Sequence, residues 1–134
     1  MVTPGRPRVL LAEDSPELAH RLCELVQEAG NVEFAGWAKD GAEALRLFGQ
    51  KKPEVMILDL NMPVFGGLEV LRRIRGCHSH CLVMILTNLQ EASIREECLR
   101  GGADYFLQKN SDLDRVLEIL RSLPPPPKGV SARS

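Results

Sequence analysis

The stretch Val55-Met56-Ile57-Leu58-Asp59-Leu60-Asn61-Met62-Pro63 decides the fold class of this chain. Val55 to Leu58 are all apolar, without alternation. Such a run describes a strand covered on both faces, as in a parallel sheet, rather than one with a wet side. It stops at a carboxylate, Asp59, and a loop carrying Pro63, Gly66 and Gly67 takes over. In open parallel sheets ligands bind beyond the carboxyl ends of the strands, so an acid in that place is a candidate for chemistry.

Working outward, Arg8 to Glu13, with Val9, Leu10, Leu11 and Ala12, and Cys81 to Thr87 are two more runs of this kind. Val32 to Ala38 is a weaker, alternating strand, and Asp104 to Lys109 reads as the fifth. Amphipathic stretches separate them. Ser15 can cap a first helix, Pro16 suits its first turn, and Leu18, Leu22, Leu25 and Ala29 line one face before Gly30 ends it. Asp40-Gly41 starts a second helix with Ala42, Leu45 and Phe48, and a third carries Leu68, Leu71 and Ile74. The fourth, Gln90 to Arg100, is weakly amphipathic and closes at Gly101-Gly102. Ser111 opens the fifth, with Leu113, Val116, Leu117, Leu120 and Leu123 on one face. Five β–α repeats predict an α/β, doubly wound parallel sheet with helices on both faces.

The chain has 134 residues, the length of one domain. Apolar residues make up 44% and charged residues 26%, ordinary for a globular protein, and the net charge of -1 gives no bulk attraction for nucleic acid or a membrane surface. No apolar run approaches the ~20 residues that span a bilayer. Met1 to Pro7 lacks an apolar signal core, so cytoplasmic residence is expected. The domain is read as residues 1–123. Residues 124–134, beginning with Pro124 to Pro127, are expected to form a stiff and then disordered tail. Cys23 and Cys98 fall at apolar helix positions, where a free thiol acts as a small hydrophobe. Cys77-His78-Ser79-His80-Cys81 offers soft metal ligands, but its spacing matches no common zinc pattern; a polar loop before a buried Cys is the favoured reading.

The strand ends assemble a constellation. They carry Glu13-Asp14, Asp59, Thr87-Asn88 and Lys109. Three carboxylates at ~4 Å repel by on the order of 1–4 kcal/mol per pair. Lys109 cannot offset all of that, whereas a hard divalent cation can, and an all-oxygen site suits Mg²⁺. Any one acid alone would be only a loop residue; three carboxylates, a hydroxyl and an ammonium group gathered at one sheet edge are poorly explained that way.

Glu13-Asp14, Asp59-Leu60-Asn61-Met62-Pro63 with Gly66-Gly67, Leu86-Thr87-Asn88 and Phe106-Leu107-Gln108-Lys109 resemble, in order and spacing, the receiver-domain signature of two-component response regulators. Ala38-Lys39-Asp40-Gly41-Ala42-Glu43-Ala44-Leu45 and Gly101-Gly102-Ala103-Asp104 resemble the family too, and the likeness covers about residues 8 to 123. It implies a flavodoxin-like (βα)5 sheet of order 2-1-3-4-5. It further implies that Asp59 accepts a phosphoryl group from a histidine kinase or histidine phosphotransfer protein. Asp14, Asp59 and the backbone carbonyl of Asn61 would ligate Mg²⁺, with Glu13 acting through water. Lys109 would pair with Asp59 and then with the phosphoryl oxygens, Thr87 would move to bond the phosphoryl group, and Phe106 would turn inward with it. The face made by the fourth helix, fifth strand and fifth helix, with Arg95, Arg100, Tyr105 and Phe106, would contact a downstream protein, or a second copy in a phosphorylation-dependent homodimer. Direct nucleic-acid and membrane binding are not expected. The weakly amphipathic fourth helix reads equally as a bistable element or as a plain surface helix.

Some positions depart from the family pattern. Glu13 replaces the more usual Asp, Asn88 a usually small residue, and Asn110 a usual Pro, so a trans bond is expected after Lys109. Asn88 would crowd access to the phosphoryl group or hydrogen-bond near it. The aromatic switch is Phe106 rather than Tyr, with Tyr105 facing the opposite side. Two other readings stand beside the receiver. A haloacid-dehalogenase-like phosphatase would need a second Asp as general acid/base where this chain has Asn61, which cannot shuttle protons. A pseudo-receiver would keep the fold as a binding module without taking phosphate. Whether the chain counts as an enzyme is left open; Mg²⁺-dependent self-phosphorylation and slow autodephosphorylation are expected, not turnover of many substrates. No helix-turn-helix follows Leu123, so a stand-alone receiver is expected, the alternative being one domain of a longer DNA-binding regulator with Pro124 to Pro127 as linker.

Overall fold

The strands with unbroken apolar sequences take the centre of the sheet. In this computed structural model, which describes residues 5–77 and 79–125, β1 (Arg8–Ala12), β3 (Val55–Asp59) and β4 (Leu82–Thr87) lie side by side. β2 (Glu33–Ala38) and β5 (Tyr105–Gln108) form the edges, giving the order β2-β1-β3-β4-β5 with every pair parallel. β2, expected to alternate, is the less buried edge; Phe34 to Trp37 are all half-buried, and a register shift opposite Val9/Leu10 breaks the alternation. The expected doubly wound α/β sheet of order 2-1-3-4-5 is what forms.

Alternate residues of each strand feed two cores. Leu10, Ala12, Met56, Leu58, Val83, Ile85 and Phe106 pack with α2 (Gly41–Lys51), α3 (Gly67–Gly76) and α4 (Ala92–Arg100), through Ala44, Val70, Leu71, Ile74 and Cys98. Val9, Leu11, Val55, Ile57, Met84, Leu86 and Leu107 pack with α1 (Pro16–Ala29) and α5 (Leu113–Arg121), through Leu22, Leu25, Val26, Val116, Ile119 and Leu120. Each fully buried aliphatic side chain contributes roughly 1.5–3 kcal/mol, so the central strands anchor the sheet. Phe106 and Tyr105 fall on opposite faces, as expected.

Most helix ends match their signals. Ser15 accepts from Leu18 N–H at 3.4 Å, Asp40 from Glu43 N–H at 2.8 Å, and Gly30 closes α1 in the left-handed region at φ 81°. Other ends are corrected. α4 starts at Ala92 rather than Gln90, and α5 at Leu113 with Asp112, not Ser111, in the cap position. The Asp112 carboxylate turns back to accept from Gln108 N–H at 2.8 Å, fixing the end of β5 instead of capping the helix. α5 ends at Arg121, so Leu123 lies beyond it rather than on its face; Ile119 is buried, whereas Leu113, Leu117 and Leu123 are only partly covered. Cys81 precedes β4 rather than beginning it. The tail beyond Pro125 lies outside the described residues.

Two glycines let backbones approach where the site is built. Gly67 lies so near the end of β3 that a Cβ there would meet the Asp59 carbonyl oxygen at 2.5 Å. Gly41, at the start of α2, is packed against the Phe65 backbone, and its N–H donates to Pro63 O at 3.3 Å. The β3–α3 loop is thus held between two helix starts. Gly67→Ala forces α3 away from β3 and should cost on the order of 1–3 kcal/mol in urea unfolding; a wild-type midpoint would contradict this packing.

Candidate functional site

Parallel neighbours end at the same edge, so the residues closing β1 and β3 meet. Glu13, Asp14 and Asp59 each place a carboxylate oxygen within 4.8 Å of the others, the one such group of potential metal ligands among the described residues. Glu13, Asp59 and Thr87 are the buried polar side chains of the described fold, at 1%, 2% and 1% exposure. Asp14 is exposed, so the cluster opens to solvent on its side.

Local backbone bonds aim these acids. Glu13 N–H donates to Ala38 O at 3.0 Å, and the Glu13 carbonyl accepts from the Trp37 indole at 2.7 Å. Ser15 N–H donates to Glu13 Oε2 at 3.1 Å, and Asn61 N–H to Asp59 Oδ1 at 3.2 Å. Lys109 comes from the end of β5, where its own N–H donates to Thr87 O at 2.9 Å. Its Nζ lies 2.9 Å from Asp59 Oδ1 and 3.4 Å from both Glu13 oxygens. Thr87 Oγ1 accepts from Leu89 N–H at 3.0 Å, and Gln108 Nε2 donates to Leu89 O at 3.0 Å.

One ammonium serves several acids, and their ionisation shows it. Burial, and then the Asp59 charge, push Glu13 up to about 7 against the pull of Ser15 N–H and Lys109. Burial raises Asp59 as well, opposed by Lys109 and Asn61 N–H. Burial would lower Lys109, but Asp59 and Glu13 outweigh it and hold the ammonium form.

Glu13 Oε1 and Asp59 Oδ2 are buried without a hydrogen-bond donor, Lys109 lying near Oε1 outside bonding geometry. Buried polar atoms are rarely left so. Oxygen donors only, negative charge in excess and unpartnered lone pairs fit a hard dication such as Mg²⁺.

The remaining expected residues are placed as follows. Phe106 is 8% exposed within the core on the α2–α4 side, with the Arg95 guanidinium 6.0 Å from its ring centroid. Arg95, Leu99, Tyr105, Phe106 and Arg115 line a cavity of about 300 Å³ on the α4–β5–α5 side. Arg100 is not among its lining residues and lies 3.7 Å from Glu96. Asn88 is exposed beside Thr87, and no described peptide, Lys109–Asn110 included, is cis. Cys77 is exposed, while burial pushes the Cys81 thiol up to about 12; His78 lies outside the described residues. Two supports escaped the sequence reading. Ser15 was legible as a cap but not as a donor to Glu13, and nothing in the sequence marked Trp37 as a partner of the Glu13 carbonyl.

Comparison with known proteins agrees with this geometry. A family model described as the response regulator receiver domain matches residues 9–121. The transcriptional regulatory protein TrcR of Mycobacterium tuberculosis is 36% identical over 124 residues, covering 89% of this chain and 46% of that protein. A protein-glutamate methylesterase/protein-glutamine glutaminase of Bacillus licheniformis is 34% identical over 119 residues, 84% of this chain and 33% of its own. The chain thus spans about a third to a half of the length of these relatives. Among solved structures, the receiver domain of the putative response regulator NarL from Mycobacterium tuberculosis superposes with a TM-score of 0.80 at 29% identity, covering 90% of this chain and all of that one. With the signature residues brought to one edge of the expected sheet and the family model spanning nearly the whole described fold, the chain belongs to the response regulator receiver domain family.

Proposed function

We propose that this receiver takes a phosphoryl group on Asp59 from a phosphohistidine of a histidine kinase or histidine phosphotransfer protein, with Mg²⁺ held by Asp14, Asp59 and the Asn61 carbonyl and reached by Glu13 through water. The observation that carries this is the state of the Asp59 carboxylate. One oxygen is fixed by Lys109 and Asn61 N–H, and the other is buried without a partner. When bound, the dication would neutralise charge on the carboxylates and on the incoming phosphoryl oxygens. An Asp59 oxygen forms the new P–O bond as the P–N bond breaks, and the imidazole leaves with the bonding pair and takes up a proton. Phosphoryl transfer asks the protein mainly for positioning and charge, and Lys109 is placed to follow the charge from carboxylate to phosphoryl group.

The phosphoryl group brings roughly −1.5 to −2 charge and three strong acceptors, by analogy with ordinary phospho-residues. Thr87, the buried hydroxyl at the end of the neighbouring strand β4, would answer them. Moving it would give up the bond from Leu89 N–H and so disturb the β4–α4 loop. α4 is weakly anchored, Cys98 being its buried residue, which favours the bistable over the plain surface-helix reading. The α4–β5–α5 face is the proposed output surface for a downstream protein or for a phosphorylation-dependent homodimer, with Phe106 reporting the shift. Among the described residues no helix is long and apolar enough to cross a membrane; cytoplasmic action belongs to the proposal. A second arrangement, in which the receiver serves a longer regulator, is favoured by the relatives being matched over 46% and 33% of their own lengths.

Incubation with acetyl phosphate and Mg²⁺ should add one labile phosphoryl group, read by intact-protein mass spectrometry and lost in Asp59→Asn. No adduct on the wild-type chain would favour a pseudo-receiver.

A second expectation concerns pH. Burial and the Asp59 charge raise Glu13 from an ordinary 4.5 to about 7, so the folded chain holds an extra proton between those values. Its contribution to stability is full below the lower value and lost as pH rises through the upper one; raised Asp59 has the same sign. The raised Lys109 acts only at alkaline pH, above 10.5. Metal-free protein should therefore lose on the order of 1–3 kcal/mol of stability between about pH 5 and about pH 8. Glu13→Gln should flatten that slope in thermal melts, and Mg²⁺ should restore stability at the upper end. A slope unchanged by Glu13→Gln would remove Glu13 as its source.

A further inference from the structure

The geometry points to Trp37 as a positioning residue of the acidic site: its indole N–H pins the Glu13 carbonyl and so sets where Glu13 and Asp14 stand toward the dication, a role that rests on the magnesium reading of the cluster. Glu13 has just left β1, and both of its backbone groups are bonded to β2. Its N–H continues the ladder to Ala38 O at 3.0 Å. In a parallel ladder its carbonyl would next take an N–H from two residues beyond Ala38. The strand ends at Ala38, however, and the chain turns at Asp40 into α2. Lys39 N–H is already given to Glu43 Oε1 at 2.8 Å. The Trp37 indole supplies the missing donor at 2.7 Å.

That bond fixes more than one atom. The Glu13 carbonyl and the Asp14 N–H share a rigid peptide plane, so holding the first orients the Cα of the second. Asp14 is the exposed member of the trio, next in the chain to buried Glu13. The indole holds that turn from the backbone side. The ring itself is held. Trp37 pairs with Leu11 in the sheet and packs against the α1–α5 core, and the Lys39 ammonium lies 5.3 Å from its centroid. Trp37 is also the single tryptophan of the chain, so the positioning group is its own spectroscopic probe.

Trp37→Phe keeps an aromatic ring and removes the donor. In the full chain it should weaken Mg²⁺ binding about tenfold by titration calorimetry, the lower end of what outer partners of metal ligands cost. Without metal, the Asp14 and Ser15 amides should exchange with solvent faster, while the amides of β3 and β4 stay protected, which separates a local effect from general loosening. In the wild type, the indole N–H resonance should be protected and should move with the Asp59 amide as Mg²⁺ is added. That measurement decides the matter even if the variant folds poorly. Wild-type Mg²⁺ affinity and unchanged exchange in Trp37→Phe, or a freely exchanging indole proton, would overturn the role of Trp37 alone. A wild-type chain that binds no Mg²⁺ would overturn the magnesium reading and this role together.

Discussion

Buried negative charge at the shared end of β1 and β3 sets the terms for the rest of the molecule. Glu13 and Asp59 are almost wholly removed from water, Asp14 stands beside them, and Lys109 is the ammonium placed among them. Desolvation acts on both buried acids in the same direction, toward the protonated form. A site left like this costs folding free energy, and the fold tolerates it because β3 is buried throughout and held between the nearly wholly buried strands β1 and β4. On the proposed reading, a dication or a phosphoryl group arriving there would change a charge balance that the protein alone does not close.

Holding the acids in register requires close backbone contact, and the sequence bends local rules to provide it. Gly67 admits the Asp59 carbonyl, Gly41 admits the Phe65 backbone, and Val64, a β-branched residue, sits at φ 70°. Such a conformation is uncommon for a branched side chain and persists where the surroundings over-determine it. Here the surroundings are two helix starts, with Phe65 also stacked under the Arg73 guanidinium at 4.2 Å. On the β1 side the corresponding support is the pair of bonds from β2 to the Glu13 backbone. The acids are therefore aimed from the sheet and its turns rather than by contacts among themselves.

Away from the acidic cluster, Thr87 links the site to the α4–β5–α5 side. Its hydroxyl holds Leu89 N–H, and the Leu89 carbonyl takes the Gln108 amide from β5. Arg75 braces the other end of the same elements, bonding Gly102 O, Cys81 O and Asp104. α4 lies between a tethered loop and this brace while burying little of itself, which gives it two fixed ends and a loosely held middle.

The parallel sheet and the gathering of Glu13, Asp14, Asp59, Thr87 and Lys109 were legible in the residues, and the strand order in the family resemblance. Apolar runs such as Val55 to Leu58 report burial on both faces locally, and parallel topology carries their ends to one edge whatever the side chains do next. Helix ends were legible where a cap acts on its own turn, as at Ser15 and Asp40, and misplaced at Asp112, whose carboxylate is spent on β5. What only the tertiary structure decided is of that second kind. That Trp37 serves the Glu13 carbonyl, that Arg75 braces the Ser79, Cys81 and Gly102 carbonyls, and that Glu13 Oε1 and Asp59 Oδ2 are left without donors depend on which distant groups reach a given atom. Spacing along a chain records periodicity and turn chemistry; it does not record which lone pair goes unclaimed once the strands have met.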